Sequence, residues 1–107
     1  MIEHSLLHDA IEGWINHFTV DTKRRNARSF INFVKKAGLL NTGWTVKDFH
    51  SQSTDLDERF DMYLDSKLVN QSRKREEWIQ WKLLSKFILE KYRKEAHGSS
   101  QNYAPVV

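Results

Sequence analysis

Apolar residues along this chain recur every three or four positions rather than every second one, the period of helices that each bury one face. Leu7, Ala10, Ile11, Trp14, Ile15 and Phe18 share such a face and predict a first helix from an N-cap at Ser5 to about Phe18. Ala27, Phe30, Ile31, Val34 and Ala37 form the stripe of a second helix, capped by Asp21 or Thr22 and ended by Gly38. The stretch "GLLNTGWTVKDFHSQSTD" has room for one short helix, Val46 to about Gln52 behind a Thr45 cap, with Leu39, Leu40, Trp44 and Phe49 tucked under the core. Another helix should start near Ser53 or Thr54, where Thr54 and Asp57 approximate a capping box, and turn Leu56, Phe60, Tyr63, Leu64 and Leu68 inward. The last helix follows an "NQS" turn at Asn70 to Ser72 and runs to about Glu95. Trp78, Trp81, Leu84, Ile88 and Tyr92 make its main stripe. Ile79, Leu83 and Phe87 fall outside that stripe, so this longest helix should touch neighbours on more than one side.

These patterns predict an all-α chain: a single compact bundle of four to five helices over residues 1–96. The tail at 97–107, "HGSSQNYAPVV", loses the period and has the composition of a flexible end or interdomain linker. With 107 residues, 39% of them hydrophobic, there is material for one core. Cysteine is absent, which excludes disulfides, thiol catalysis and thiolate metal sites. The opening "MIEHSLLHDAIEG" breaks its apolar residues with His, Glu and Asp, unlike a signal peptide or a membrane span. The expected location is cytoplasmic or nucleoid-associated, with no membrane partner.

Charge sharpens the picture because it is sorted by helix. Six cations and no anion lie between Lys23 and Lys36, whereas five anions against Arg59 alone lie between Asp55 and Asp65. Eight cations against three Glu lie between Arg73 and Lys94. At 100° per residue, Arg24, Arg28 and Lys35 flank the apolar stripe of the second helix, and Arg75, Lys82, Lys86 and Arg93 line up on the last at spacings of seven, four and seven. Such ridges suit a solvated face whose long stems cover apolar edges. They equally suit a nucleic-acid backbone, whose affinity comes from neutralised phosphates. The pI near 9.3 leans the same way.

Other chemistry is thin. Asp55, Asp57, Glu58, Asp61 and Asp65 read as favourable charge near a helix N-terminus rather than a metal or acid–base site. His4 and His8 have an i, i+4 spacing without an HExxH pattern or a third ligand, so no metal is expected. Trp44, in a Gly-flanked loop, fits packing better than base stacking. There is no Gly-rich phosphate loop, nucleophile elbow or Ser/His/Asp arrangement, and no cofactor or catalytic residue is expected.

The pattern resembles the N-terminal core-binding domain of the tyrosine recombinase and phage-integrase family, a SAM-like helical bundle. The likeness lies in "LLHDAIEGWINHF" as the opening helix, in "DTKRRNARSFINFVKKAGL" with Thr22, Phe30 and Phe33 at family positions, and in "QSRKREEWIQWKLLSKFILEKYRKE" as the last helix. Asn26 stands where the family usually has Tyr. "NYAPVV" is similar to the linker into the catalytic domain. The resemblance implies a DNA-binding module of a site-specific recombinase that clamps double-stranded DNA, with further protomers possible on that DNA. It implies contacts from Thr22, Lys23, Arg24, Arg25 and Arg28 and from Ser72, Arg73, Lys74, Arg75, Lys82 and Lys86, to which the charge ridge adds Lys35. The family's catalytic Arg, His-x-x-Arg pair and nucleophilic Tyr lie in another domain and have no counterpart here, so the chain is expected not to be an enzyme. The competing expectation is a small helical protein-interaction module whose basic ridges meet an acidic partner.

Overall fold

The predicted stripes fold into four helices in a computed structural model that describes residues 4–67 and 70–96. They are α1 (Leu7–Asn16), α2 (Asp21–Lys36), α3 (Val46–Lys67) and α4 (Gln71–Ala96). α4 packs against α3 and α1, and α1 in turn against α2 and α3. The architecture is an all-α bundle, as the periodicity indicates. Leu68 and the predicted tail at 97–107 lie outside the described residues.

The largest departure from the sequence pattern is α3. A short helix followed by a new start at Ser53 or Thr54 is predicted, but one uninterrupted helix runs from Val46 to Lys67. Val46, Phe49, Leu56, Phe60 and Leu64 are all buried and stay in phase along one face, so continuity lets every one of them reach the core. Of the predicted cap residues, Ser53 turns its hydroxyl back on the helix, as Ser51 also does. Ser51 Oγ donates to the Lys47 carbonyl at 3.0 Å and Ser53 Oγ to the His50 carbonyl at 3.0 Å. The start is the predicted Thr45 cap, eight residues before Ser53, closed as a reciprocal capping box. Thr45 Oγ1 accepts from the Asp48 amide at 3.2 Å, and Asp48 Oδ2 accepts from the Thr45 amide at 2.9 Å.

Two other caps move. Ser5 does not cap α1, which starts at Leu7 behind Leu6. Its amide and hydroxyl donate to the Glu95 carboxylate at 2.8 and 2.5 Å, a stronger acceptor than a helix end needs. Leu6 bridges to Thr45, with the Val46 amide donating to the Ser5 carbonyl, so the N-terminal segment is strapped to the start of α3 and the end of α4. Neither Asp21 nor Thr22 caps α2. Helical geometry begins at Asp21 itself, Val20 occupies the cap position, and no side chain closes that end. α1 stops at Asn16, two residues before the predicted Phe18.

The predicted end of α2 is found in place. Gly38 has φ 76°, its amide donates to the Lys35 carbonyl and the Leu39 amide to the Val34 carbonyl, a Schellman closure that needs a residue at positive φ. Asn70 starts α4, its Oδ1 accepting from the Arg73 amide at 3.2 Å.

An aromatic chain runs through the core. Trp14 meets Phe30 edge-on at 6.2 Å, Phe30 meets Phe60 at 6.1 Å, and Phe60 stacks on Trp81 at 4.8 Å. These four rings join α1, α2, α3 and α4 in turn, each contact favouring one mutual orientation of its helices. Trp44 is half-buried and packs against the same core. Of the three residues outside the α4 stripe, only Phe87 is covered, lying beside Gly13 and stacked on His17 at 5.6 Å. Ile79 and Leu83 instead face solvent, 49% and 47% exposed.

Candidate nucleic-acid interface

The cationic start of α2 divides into side chains that are used by the fold and side chains that are not. Arg24 bends back, donating from Nε to the Phe18 carbonyl at 2.7 Å and pairing with Asp21 at 3.2 Å. It therefore ties the exit of α1 to the first turn of α2. Arg28 reaches Glu12 of α1 at 3.6 Å. Thr22, Lys23, Arg25 and Lys35 are exposed, and among the described residues none of Lys23, Arg25 and Lys35 has a carboxylate at ion-pair distance.

On α4 the same division holds. Lys74 is mostly covered and donates to Asp65 of α3 at 3.0 Å. Arg73 pairs along its own helix with Glu77 at 3.4 Å. Lys82 lies 4.7 Å from the centre of the Trp78 ring and 3.4 Å from Asp57 Oδ2. Ser72, Arg75 and Lys86 are exposed, as is Arg93; the last three cations have no ion-pair partner among the described residues.

Asp57 has a role the sequence pattern does not reveal. Its Oδ1 accepts from the indole N–H of the fully buried Trp81 at 2.6 Å while Oδ2 faces Lys82. One carboxylate thus satisfies a core donor and fixes the base of the α4 ridge. The sequence shows Asp57 only as one member of the acidic cluster on α3, since nothing in linear spacing pairs position 57 with position 81. Ser85 is a second omission, a serine 7% exposed on the inner face of α4. Its helical offset of four from Trp81 marks it as core-facing.

The two ridges do not converge. Arg24 and Arg28 make their contacts towards α1, whereas Lys74 and Lys82 make theirs towards α3. Between α2 and the first half of α4 runs a groove of about 470 Å³ lined by Asn26, Ser29, Phe33, Glu76 and Gln80, among others, and Arg73 is the one cation of the predicted set in its wall. A second cleft of about 380 Å³ between α3 and α4 holds Lys82, Lys86 and Arg93. Asn26 lines the first groove.

His4 and His8 are not brought to a common ligand. His4 packs on the Tyr92 ring at 5.0 Å with Nδ1 3.5 Å from Glu95, and His8 is exposed. Among the described residues no group of His, Asp or Glu is placed to hold a metal ion. Burial pushes the Glu95 carboxyl up, but the two Ser5 hydrogen bonds, the Lys91 ammonium and His4 outweigh it and hold the pKa below the ordinary glutamate value. No helix among the described residues is long and apolar enough to cross a membrane.

The chain matches no protein-family model, no curated protein and no solved structure.

Proposed function

We propose that the chain is a non-catalytic module that binds double-stranded DNA mainly through its phosphates, as the core-binding domain of a tyrosine recombinase would. One observation carries the reading: Arg75, Lys82, Lys86 and Arg93 are all exposed on one side of α4. Eighteen residues of helix separate the first from the last, a line of about 27 Å. That length matches about eight base pairs of duplex at 3.4 Å each. Three of the four, Arg75, Lys86 and Arg93, have no carboxylate at ion-pair distance among the described residues and are open to a phosphate backbone. Lys23, Arg25 and Lys35 of α2 are exposed without an ion-pair partner among the described residues and add further cations for a neighbouring stretch of backbone or for a second protomer on the same DNA. Arg24 and Arg28 contribute less than their positions imply, because each already has a partner in the fold.

The reading is tested by fluorescence anisotropy of a labelled duplex across salt concentrations. With about five phosphates neutralised, log affinity should fall with log salt at a slope of about −4 to −5. Affinity that ignores salt would sink the proposal. Mixed-sequence and unrelated duplexes should bind alike if phosphate contacts dominate.

A second reading, a protein-interaction module, draws on one feature. Ile79 and Leu83 are exposed one turn apart, and Leu83 borders a small apolar pocket of about 160 Å³ with Trp14, Phe18 and Phe87. It is favoured if the duplex is not retained at physiological salt while Leu83→Glu abolishes a defined protein complex.

A further inference from the structure

The cleft between α3 and α4 contains a polar group that the fold leaves unused. Ser85 is 7% exposed, lines the cleft beside Lys82, Lys86 and Arg93, and its Oγ has no hydrogen-bond partner among the described residues. A buried hydroxyl without a partner destabilises the folded chain, and such groups in native proteins call for a reason. Here the surroundings supply one. Lys86 and Arg93 enter the same cleft with no ion-pair partner among the described residues, and both are exposed donors without acceptors. Two carboxylates share the cleft. Asp57 is already engaged by the Trp81 indole and Lys82, and Glu90 stands at the exposed rim. Ser53, on the α3 wall, directs its own hydroxyl to the His50 carbonyl. The groups left over are therefore a hydroxyl, an ammonium and a guanidinium, which together demand an acceptor with several oxygens and negative charge.

We infer that this cleft is a phosphate seat, in which Ser85 Oγ–H donates to one phosphate oxygen while Lys86 and Arg93 hold the others. The inference rests on the duplex-binding reading for its source of phosphate, a phosphodiester of the DNA backbone, and gives that reading one fixed point. A seat at this depth orients the backbone on α4, which exposed lysines alone do not do.

Ser85→Ala separates the seat from an ordinary structural serine because the two roles move stability and binding differently. The full chain, Ser85→Ala and a Lys86→Gln/Arg93→Gln double variant are compared by thermal melting, by duplex anisotropy at low salt, and by amide resonances under titration with inorganic phosphate. Ser85→Ala should melt above the parent, since an unpartnered polar group leaves the interior, yet bind duplex about three- to tenfold more weakly with an unchanged salt slope. The double variant should make the slope shallower by about two. Inorganic phosphate should shift the Ser85 and Lys86 resonances saturably in the parent and leave Ser85→Ala unmoved. A Ser85→Ala variant that melts higher but binds duplex as tightly as the parent overturns the seat and leaves duplex binding standing. A variant that melts lower shows the hydroxyl already satisfied by the fold, and also overturns it. If the parent does not hold duplex at all, the duplex reading fails, and the phosphate titration still decides: saturable shifts at Ser85 uphold a seat for a small phosphate compound, and none overturns it.

Discussion

α2 and α4 carry similar cationic ridges but use them differently. On α2 the ridge residues Arg24 and Arg28 turn towards α1, one donating to the Phe18 carbonyl and the other pairing with Glu12. On α4 the ridge is anchored at a single point, where Asp57 holds Lys82 and Trp81, while Arg75, Lys86 and Arg93 are exposed with no ion-pair partner among the described residues. The contrast teaches that a row of cations is not by itself a binding surface. What counts is how many of them the fold has already neutralised, because a partnered guanidinium must break one contact to make another.

The contrast is most sharply broken at Asp57. Asp57→Ala leaves the Trp81 indole buried without an acceptor and should cost about 2–3 kcal/mol, read as a lowered melting temperature and denaturant midpoint. A near-silent result would mean that α4 is not positioned through this carboxylate.

Next in size is the exchange between the helices. Arg24→Gln should cost about 1 kcal/mol, because it removes the tie from α2 to the exit of α1. It should change the salt slope of duplex binding little. Arg75→Gln should do the reverse, with a slope shallower by about one and stability within about 0.5 kcal/mol of the parent. Stability scans beside anisotropy measurements would sharpen or dissolve the distinction. Equal effects at both sites would dissolve it.

Acid should act on the α4 end through Glu95. Its folded pKa lies below the ordinary value, so it stabilises the chain at pH above the unfolded glutamate range, and that contribution is lost as pH falls through the lowered folded value. Ser5→Ala should therefore lower the neutral plateau of a stability–pH profile and flatten its acid limb, with parent and variant converging at pH below the folded Glu95 value. An unchanged acid limb would remove Ser5 and Glu95 from the account.

Effects of about 1 kcal/mol or less are expected at two glycines, Gly38 at the end of α2 and Gly13 on α1. Gly38→Ala should destabilise the end of α2 by about 1 kcal/mol, since φ there is positive. Gly13→Ala should gain up to about 0.5–1 kcal/mol, because α1 is helical there and an added Cβ would stand 3.7 Å from the Phe87 ring, an ordinary contact. Opposite signs in thermal melts would bear this out.

Much of the fold is legible in one dimension because helical burial repeats locally. The stripes of α1, α2 and α4 identify Trp14, Phe30, Val34, Trp81 and Ile88 as core without knowledge of any neighbour. The Gly38 end of α2 is legible for the same reason, since a Schellman closure involves only residues 34 to 39. The break expected at Ser53 was misleading. Serine and threonine favour caps when a helix must start, but the in-phase apolar positions on either side bury more when it does not.

The candidate site was legible as charge and illegible as geometry. Sequence alone determined that cations gather on α2 and α4 and acid on α3, because composition and helical phase are properties of each segment. Only the tertiary structure decided which of those charges are spent. Arg24 on the Phe18 carbonyl, Lys74 on Asp65 and the Asp57 link to position 81 are contacts across helices, set by how the aromatic core rotates each helix against the next. The orphaned hydroxyl of Ser85 has the same origin, for a partner can be missing only once every neighbour is in place.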